Sequence, residues 1–427
     1  QGGVGGAPWA WPGLWPLVGV AMAVLVVDNG GCSCKVGWAG QEAPSQVAPN
    51  ATAHQKSQLD VFVADQIDTK LKNHSNVTYT RPCERGIVTN WQCQMEVWQR
   101  MFGLVLGKTG SRDKTLAVTE APFTPPSVSR CLQEIAFEEF GFHAVHRTTA
   151  PCAAAYLHTR QNPEASLGTA LVVDLGFSAT HAVPYVDGRA VQRAVRRLNI
   201  GGKLMTNFLK ETVSYRQYNM MDEFHLINQA KESLCYVAQD FEREVKDSCG
   251  PSVPADRSAY REWVLPDYHA ISKGYQKDLP VVAGRFQRTP RDSTEEQALR
   301  LEIERFAVPE LLFHPTDCGM HQAGLPNLVA EALAACAPAH QPLLARNIVI
   351  VGGGARLPGL EPRLARELQP LLPAHCVVQV HQPNNPELCA WKGLSARAAA
   401  DPEFLRLTKG EYEELGADRA LEVFSRW

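Results

Sequence analysis

The chain has 427 residues, more than one simple core holds, so two or more lobes are expected. Its hydrophobic share of 45% and charged share of 20% are those of an ordinary folded soluble protein, and a net charge of -3 excludes broad electrostatic attraction to nucleic acid or membrane. The 12 cysteines are scattered without a C-x-x-C pair, which excludes a zinc ribbon or thioredoxin-type site and reads as reduced thiols of an intracellular protein.

The first stretch, Ala7 to Val27, is apolar and long enough to raise the question of a membrane span. Pro8, Pro12 and Pro16 interrupt it, no Lys or Arg precedes it, and its last residues are needed for a strand. A signal peptide lacks its basic start here. Residues 1–21 are therefore expected to be an extension without fixed structure, with Met22 as the natural start. Next comes VLVVDNGGCSCKVGWAG, Val24 to Gly40: an apolar strand ending in Asp28, a Gly-rich turn, and a second strand carrying Lys35. It reads as a β-hairpin or as a phosphate cradle. Asn50, Asn73 and Asn76 each open an Asn-x-Ser/Thr triplet, taken as chance because such triplets matter only in a secreted chain.

LVVDNG at Leu25–Gly30 recurs as LVVDLG at Leu171–Gly176, each followed by a second β-rich stretch. A repeat at so long a period predicts two related α/β domains, not a solenoid. RAVRR, Arg193 to Arg197, is the densest basic run; on a predicted strand it reads as a solvated face. Ile227, Ala230, Leu234, Val237 and Phe241 are spaced by threes and fours and predict one amphipathic helix. Residues 247–262 and 284–296 read as surface loops. NIVIVGGGARLPGLEPRLAREL, Asn347 to Leu368, predicts strand, glycine turn and helix, the arrangement that brings backbone N–H groups to a phosphate or nucleoside.

An Asp ending a buried parallel strand lies at the carboxyl edge of the sheet, where ligands bind in open α/β folds. Such a carboxylate suits a hydrated Mg²⁺ shared with phosphates, and glycines let backbone N–H groups approach phosphate oxygens. Two such turns facing each other would grip a triphosphate from both lobes. Lys35 would add a point charge; a solvent-facing strand residue explains it equally well on the local pattern alone.

DNGGCSCKVGWAG and DLGFSATHAVPY resemble the two phosphate hairpins of the actin family. RPCERGIVTNW (Arg81–Trp91), TEAPFTPP (Thr119–Pro126), AKESLCYVAQDFE (Ala230–Glu242), VGGGARLPGL (Val351–Leu360) and LTKGEYEELG (Leu407–Gly416) follow in the family's order. SYRQYNMMDE, INQAKESLCYVAQDF and ERFAVPELLFHPTDCGMHQAGLP resemble its actin-related protein 6 branch. The resemblance implies an actin-like ATPase fold of two lobes about a nucleotide cleft. The first, small lobe would be 22–157 with 390–427, carrying a reduced subdomain near 50–79; the large lobe would be 158–389.

Residue by residue, the resemblance implies a site for ATP or ADP with Mg²⁺. Asp28, Asn29, Gly30 and Lys35 match the first loop, and Asp174, Gly176 and Thr180 with His181 match the second; Asp28 and Asp174 would face the metal. Lys231 and Glu232 match positions flanking the adenosine, although a solvated pair on a helix surface is the simpler local reading. Gly202, Gly352 and Gly353 match glycines beside base and ribose. Gly31 and Cys32 replace a serine and a glycine, Phe177 replaces an aspartate, and Arg356 and Leu357 replace the family's Met and Tyr beside the base. Ala150 stands where actin has the glutamine that orients the attacking water. Losing such a group costs roughly 2–4 kcal/mol in the barrier by analogy with lost transition-state donors. No catalytic residue is therefore assigned, and hydrolysis is expected to be weak or absent.

The branch consists of nuclear subunits of Swr-type chromatin remodelling complexes that exchange a variant histone. The resemblance implies a nuclear, structural role, with cytoplasm as a second location. Partners would be other complex subunits, with nucleosome or histone contact through them, and neither membrane binding nor self-polymerisation is expected. The alternative is an active ATPase or a filament-forming cytoskeletal protein. A sugar kinase lacks a visible base, and a chaperone would need a further domain beyond LEVFSRW.

Overall fold

The computed structural model describes residues 23–55, 60–288, 296–401 and 406–424. The expected extension 1–21, with Met22, lies outside the described residues, as does much of the loop expected at 284–296. Among the described residues, no helix is long and apolar enough to cross a membrane.

Two sheets of like order form the two lobes. In the first, strands Val24–Asn29 and Ser33–Trp38 make an antiparallel hairpin; Thr115–Glu120 and then Ala144–Thr149 add in parallel on one side, and Gln46–Pro49 adds on the other. Leu407–Thr408, from near the end of the described chain, pairs with Ala144–Thr149. In the second, Ala170–Leu175 and Thr180–Val186 make the hairpin, Ile348–Val351 and Val380–His381 add in parallel, and Arg189–Ala190 and Arg196–Leu198 flank the other side. The sequence repeat is thus a structural repeat. Even the register agrees: Asp28 lies opposite Lys35 and Asp174 opposite His181.

The apolar runs that announce these strands are buried on both faces, as parallel strands covered by helices are. Leu25, Val27, Leu116 and Val145 join one core with Trp98 and Phe137; Leu171, Val173 and Ile350 join another with Leu209, Ile227 and Leu364. Two helices, Ala150–Gln161 and Cys389–Ala400, cross between the lobes. Their backbones meet at Gly393, where a Cβ would stand 1.8 Å from the Ala153 carbonyl oxygen. Trp391 is fully buried and donates its indole N–H to the Val26 carbonyl at 3.1 Å, fastening one helix to the first hairpin.

A small three-stranded sheet, Thr52–Gln55 with Val61–Val63 and Val77–Thr80, projects from the first lobe over its own core of Ala51, Ala53, Ile67, Leu71 and Val77. Asn50 is 0% exposed and wholly engaged inside the fold, so this Asn-x-Thr triplet is structural. All twelve cysteines are free thiols.

Several local expectations are corrected. The periodic run 227–241 is not one helix: helix Phe224–Leu234 stops where Cys235 turns extended. Tyr236 N–H then bonds the Arg305 carbonyl and Val237 N–H the Pro358 carbonyl, and helix Phe241–Ser248 begins anew with Asp240 as N-cap. Val237 keeps its place in the core, so burial spacing survived where helicity did not. The region 247–262 is only partly a surface loop, since Ala259, Tyr260 and Glu262 are buried, the last within strand Arg261–Val264. Within RAVRR, only the last two residues enter a strand. Arg197 there donates to the Arg85 carbonyl at 2.6 Å, a tie between the lobes.

Candidate functional site

Both hairpin turns open on the cleft between the lobes, and a Cβ on Gly31 would come within 2.9 Å of Ser178 Oγ. Asp28 ends its strand 5% exposed. Its Oδ2 accepts from Lys35 Nζ at 2.8 Å and its Oδ1 from Thr119 Oγ1 at 2.7 Å. Lys35 is thus buried against Asp28, and its reading as a solvent-facing residue is overturned. Asn29 points the other way, into a buried amide network: its Nδ2 donates to Gln94, and its Oδ1 accepts from Asn50 and Trp98. Asn50 also donates to the Gly30 carbonyl at 2.9 Å, fixing the turn from beneath. Sequence reasoning missed Asn50, Gln94 and Thr119. Their signal, polar residues that become buried only through tertiary contact, is not readable from spacing.

Asp174 mirrors Asp28, but among the described residues no cationic side chain is hydrogen-bonded to it. Burial, and then the Asp28 charge, push its carboxyl up to about 7, while Lys35 pulls the other way. The two strand-end carboxylates therefore feel each other across the cleft. Gly352, at φ 86°, brings the third glycine turn against Asp174: a Cβ there would lie 2.7 Å from its Oδ1. Asp174 together with Asp28 fits a hydrated divalent cation, which would supply the positive charge that the carboxyl pair lacks. Asp28 is already shared with Lys35 and Thr119, so Asp174 is the freer ligand. Among the described residues, no group of three or more His, Cys, Asp or Glu side chains could hold a metal on its own. A cation here would depend on water and on a ligand's oxygens.

The remaining expected positions divide. Gly176 N–H closes its turn on the Ala179 carbonyl at 3.1 Å, and its own carbonyl receives the Gly202 N–H at 3.1 Å. Helix Gly202–Arg216 therefore starts directly on the second turn. Thr180 is fully buried and donates to the Ile200 carbonyl at 2.9 Å, so it supports the turn and does not face the cleft. Lys231 is 6% exposed; its Nζ donates to the Gly202 carbonyl, Thr206 Oγ1 and Asn228 Oδ1. Burial lowers its pKa. Glu232 is exposed and accepts from Asn228, so Lys231 and Glu232 are not a solvated pair. Gly353 is exposed, with nothing within 4 Å of where its Cβ would be, leaving room beside the turn. Arg356 is exposed and reaches Glu387 at 3.5 Å.

The departures cluster as well. Phe177 lies between Gly31 and Gly202, whose Cβ positions would be 3.8 and 3.5 Å from its ring. Cys32 is half-buried, and its carbonyl accepts from Arg81 and from the Asn50 N–H. Ala150 is the first residue of helix Ala150–Gln161, N-capped by Thr149. Burial, and then Arg197, lower the pKa of His181 to about 4, so it is a neutral imidazole.

Two duplicated sheets, each presenting a strand-end Asp and a glycine turn to a shared cleft, define the actin-like α/β class. The Actin family model matches residues 19–423. The chain is 38% identical over 405 residues to actin-related protein 6 of Drosophila melanogaster, covering 93% of this chain and 98% of that one. Actin-related protein 6 of Arabidopsis thaliana is 37% identical over 424 residues, covering 94% and 99%, and that of Oryza sativa subsp. japonica is 36% identical over 426 residues, covering 94% and 98%. The chain belongs to the actin family, and within it to the actin-related protein 6 group.

Proposed function

We propose that the chain is a non-filament, nuclear subunit of a Swr-type chromatin remodelling complex, acting as an assembly module with a cleft for ATP or ADP with Mg²⁺ and weak or no hydrolysis. The observation that carries the nucleotide part is the pair of facing strand-end aspartates, Asp28 engaged by Lys35 and Thr119 and Asp174 the freer for a cation. Ala150 carries the hydrolytic part: a methyl group at the helix start cannot hold an attacking water. The complex role rests on the resemblance to actin-related protein 6. In this reading partner subunits, not the basic run at Arg193–Arg197, bring the chain to the nucleosome, because Arg196 and Arg197 are engaged by Glu331, Asn199 and Arg85.

The test is direct. Denaturing the purified protein and chromatographing the supernatant is expected to yield close to one nucleotide per chain. Steady-state turnover of the partner-free protein is expected to stay below that of monomeric actin, and sedimentation with Mg²⁺ and ATP to leave it in the supernatant. An empty supernatant refutes the cleft as a nucleotide site. Turnover at or above actin's refutes the hydrolytic reading, and a pelleting polymer restores the filament alternative.

A further inference from the structure

The mouth of the cleft is spanned by side chains from both lobes. On the first lobe, Arg81 is anchored by donating to the Cys32 carbonyl at 3.1 Å. Its guanidinium carbon lies 4.8 Å from the centroid of Phe177 and 5.9 Å from that of Phe224, both on the second lobe. The two rings meet edge-on at 6.1 Å. Beside them, His74, in the loop that leads into strand Val77–Thr80 of the small sheet, stacks on His225 of helix Phe224–Leu234, with centroids 4.3 Å apart and planes within 11°. Asn76 N–H donates to Glu223 at 3.2 Å in the same band.

Two stacked imidazoles attract only while at least one is neutral. The hydrogen bonding here matches that state. Gln229 places its amide nitrogen, a donor, 2.8 Å from His225 Nε2, a pairing that suits a ring nitrogen with a lone pair. His74 Nδ1 is 2.9 Å from the Tyr79 hydroxyl. The groups facing the pair are Arg81, Tyr79 and Asp68 from the first lobe, and Glu223, Tyr268 and Lys273 from the second. Arg81 and Lys273 act directly against a charge on His225.

We propose that His74, His225, Arg81 and Phe177 form a latch across the cleft, shut while the histidines are neutral, so that acidification opens the lobes and speeds nucleotide exchange. The consequence for exchange rests on the nucleotide reading above; the latch itself rests on the contacts. Burial first, then His74, Arg81 and Lys273, hold the closed-state His225 at about 4 against an ordinary 6.5, and burial lowers His74 too. A depressed imidazole favours the closed form fully above its open-state value and less as pH falls through the window from 6.5 toward 4. At about pH 5 that difference favours opening by up to about 20-fold relative to neutral pH.

The experiment measures the distance between the lobes, with spin labels on non-natural residues replacing the exposed Lys72 and Lys246 of the full chain. The wild type is expected closed near neutral pH, with its open fraction rising by about 20-fold or less toward pH 5. His225→Phe, which keeps a stacking ring without a titrating nitrogen, is expected to stay closed in acid, and His225→Ala to be open at neutral pH. A wild-type distance unaffected by pH, or His225→Phe opening along the wild-type curve, overturns the latch. Circular dichroism separates opening from unfolding. If the wild type unfolds in acid, His225→Ala at neutral pH decides, and a closed form there refutes the proposal. Release of a preloaded etheno-ATP, followed in parallel, should accelerate with opening. A protein that binds no etheno-ATP at either pH refutes the nucleotide reading, while the distances still judge the latch.

Discussion

Replacing Asp174 by Asn tests the electrostatics of the cleft. Asp174 is pushed up to about 7, by burial and then by Asp28, from an ordinary value of 3.8. Its sign is opposite to that of a salt-bridged carboxylate. Below both values the side chain is protonated folded or unfolded and contributes nothing. Between them the unfolded chain ionises first, so stability falls as pH rises, and above about 7 the full cost remains. At about 1.4 kcal/mol per unit, with water in the open cleft screening part of the effect, the stability gap between Asp174→Asn and wild type should widen by about 1–3 kcal/mol from about pH 5 to about pH 8. For a unit of lobe size this corresponds to about 2–4 °C in melting temperature per kcal/mol. The assay is thermal unfolding in EDTA at both pH values, with the variant expected to be the more stable at the higher one. Adding Mg²⁺ with ATP should then stabilise the wild type but not the variant. A gap that is constant across pH, or that favours the wild type in EDTA at the higher pH, would refute the account of Asp174 as an uncompensated carboxylate.

Lys35→Met should cost about 3–5 kcal/mol in urea unfolding, because it leaves the Asp28 carboxylate buried without its cation. Asp28→Asn combined with Lys35→Met should recover most of that loss, and failure to recover it would mean that Lys35 acts by packing alone. Gly393→Ala should cost about 1–3 kcal/mol or more by driving apart the two crossing helices, read from the urea midpoint; an unchanged midpoint would contradict the close approach at Ala153. Ala150→Gln should raise single-turnover ATP hydrolysis by about 10²–10³-fold if the missing water ligand alone limits the reaction. An unchanged rate would place the block elsewhere in the cleft, with Phe177 the first suspect.

The fold was readable because its strongest sequence signal is a repeat. LVVDNG and LVVDLG specify the same strand, the same terminal Asp and the same turn, and the sheets built on them share one order. The candidate site was readable only where a residue's role is fixed by its own hairpin. Asp28 opposite Lys35 is such a case, since strand register sets it. Thr180 matches the second loop by resemblance, but register alone does not say which carbonyl its hydroxyl will reach; Ile200, twenty residues on, takes it. Lys231 appeared as half of a surface pair because helical spacing predicts which residues share a face, not what the neighbouring helix brings to that face. Thr206 and the Gly202 carbonyl bury it. The split of 227–241 has the same origin: backbone partners at Arg305 and Pro358, remote in sequence, outcompeted the local helix.

These contacts bear on why an altered nucleotide cleft would suit an assembly subunit. A ligand shifts an opening equilibrium only by its differential affinity for the two states. In this chain, Arg81 on Phe177, His74 on His225, Asn76 on Glu223, and Arg197 on the Arg85 carbonyl join the two lobes. On the reading proposed above, a nucleotide then meets lobes that are already close together. Its binding adds to the stability of the closed form, by RT ln(1 + [L]/Kd), but moves the lobes little. Phe177 and Ala150 act in the same direction, one filling space beside the second turn and the other removing the support for hydrolysis. On that reading, contacts between the lobes rather than hydrolysis set the shape that the chain presents near neutral pH.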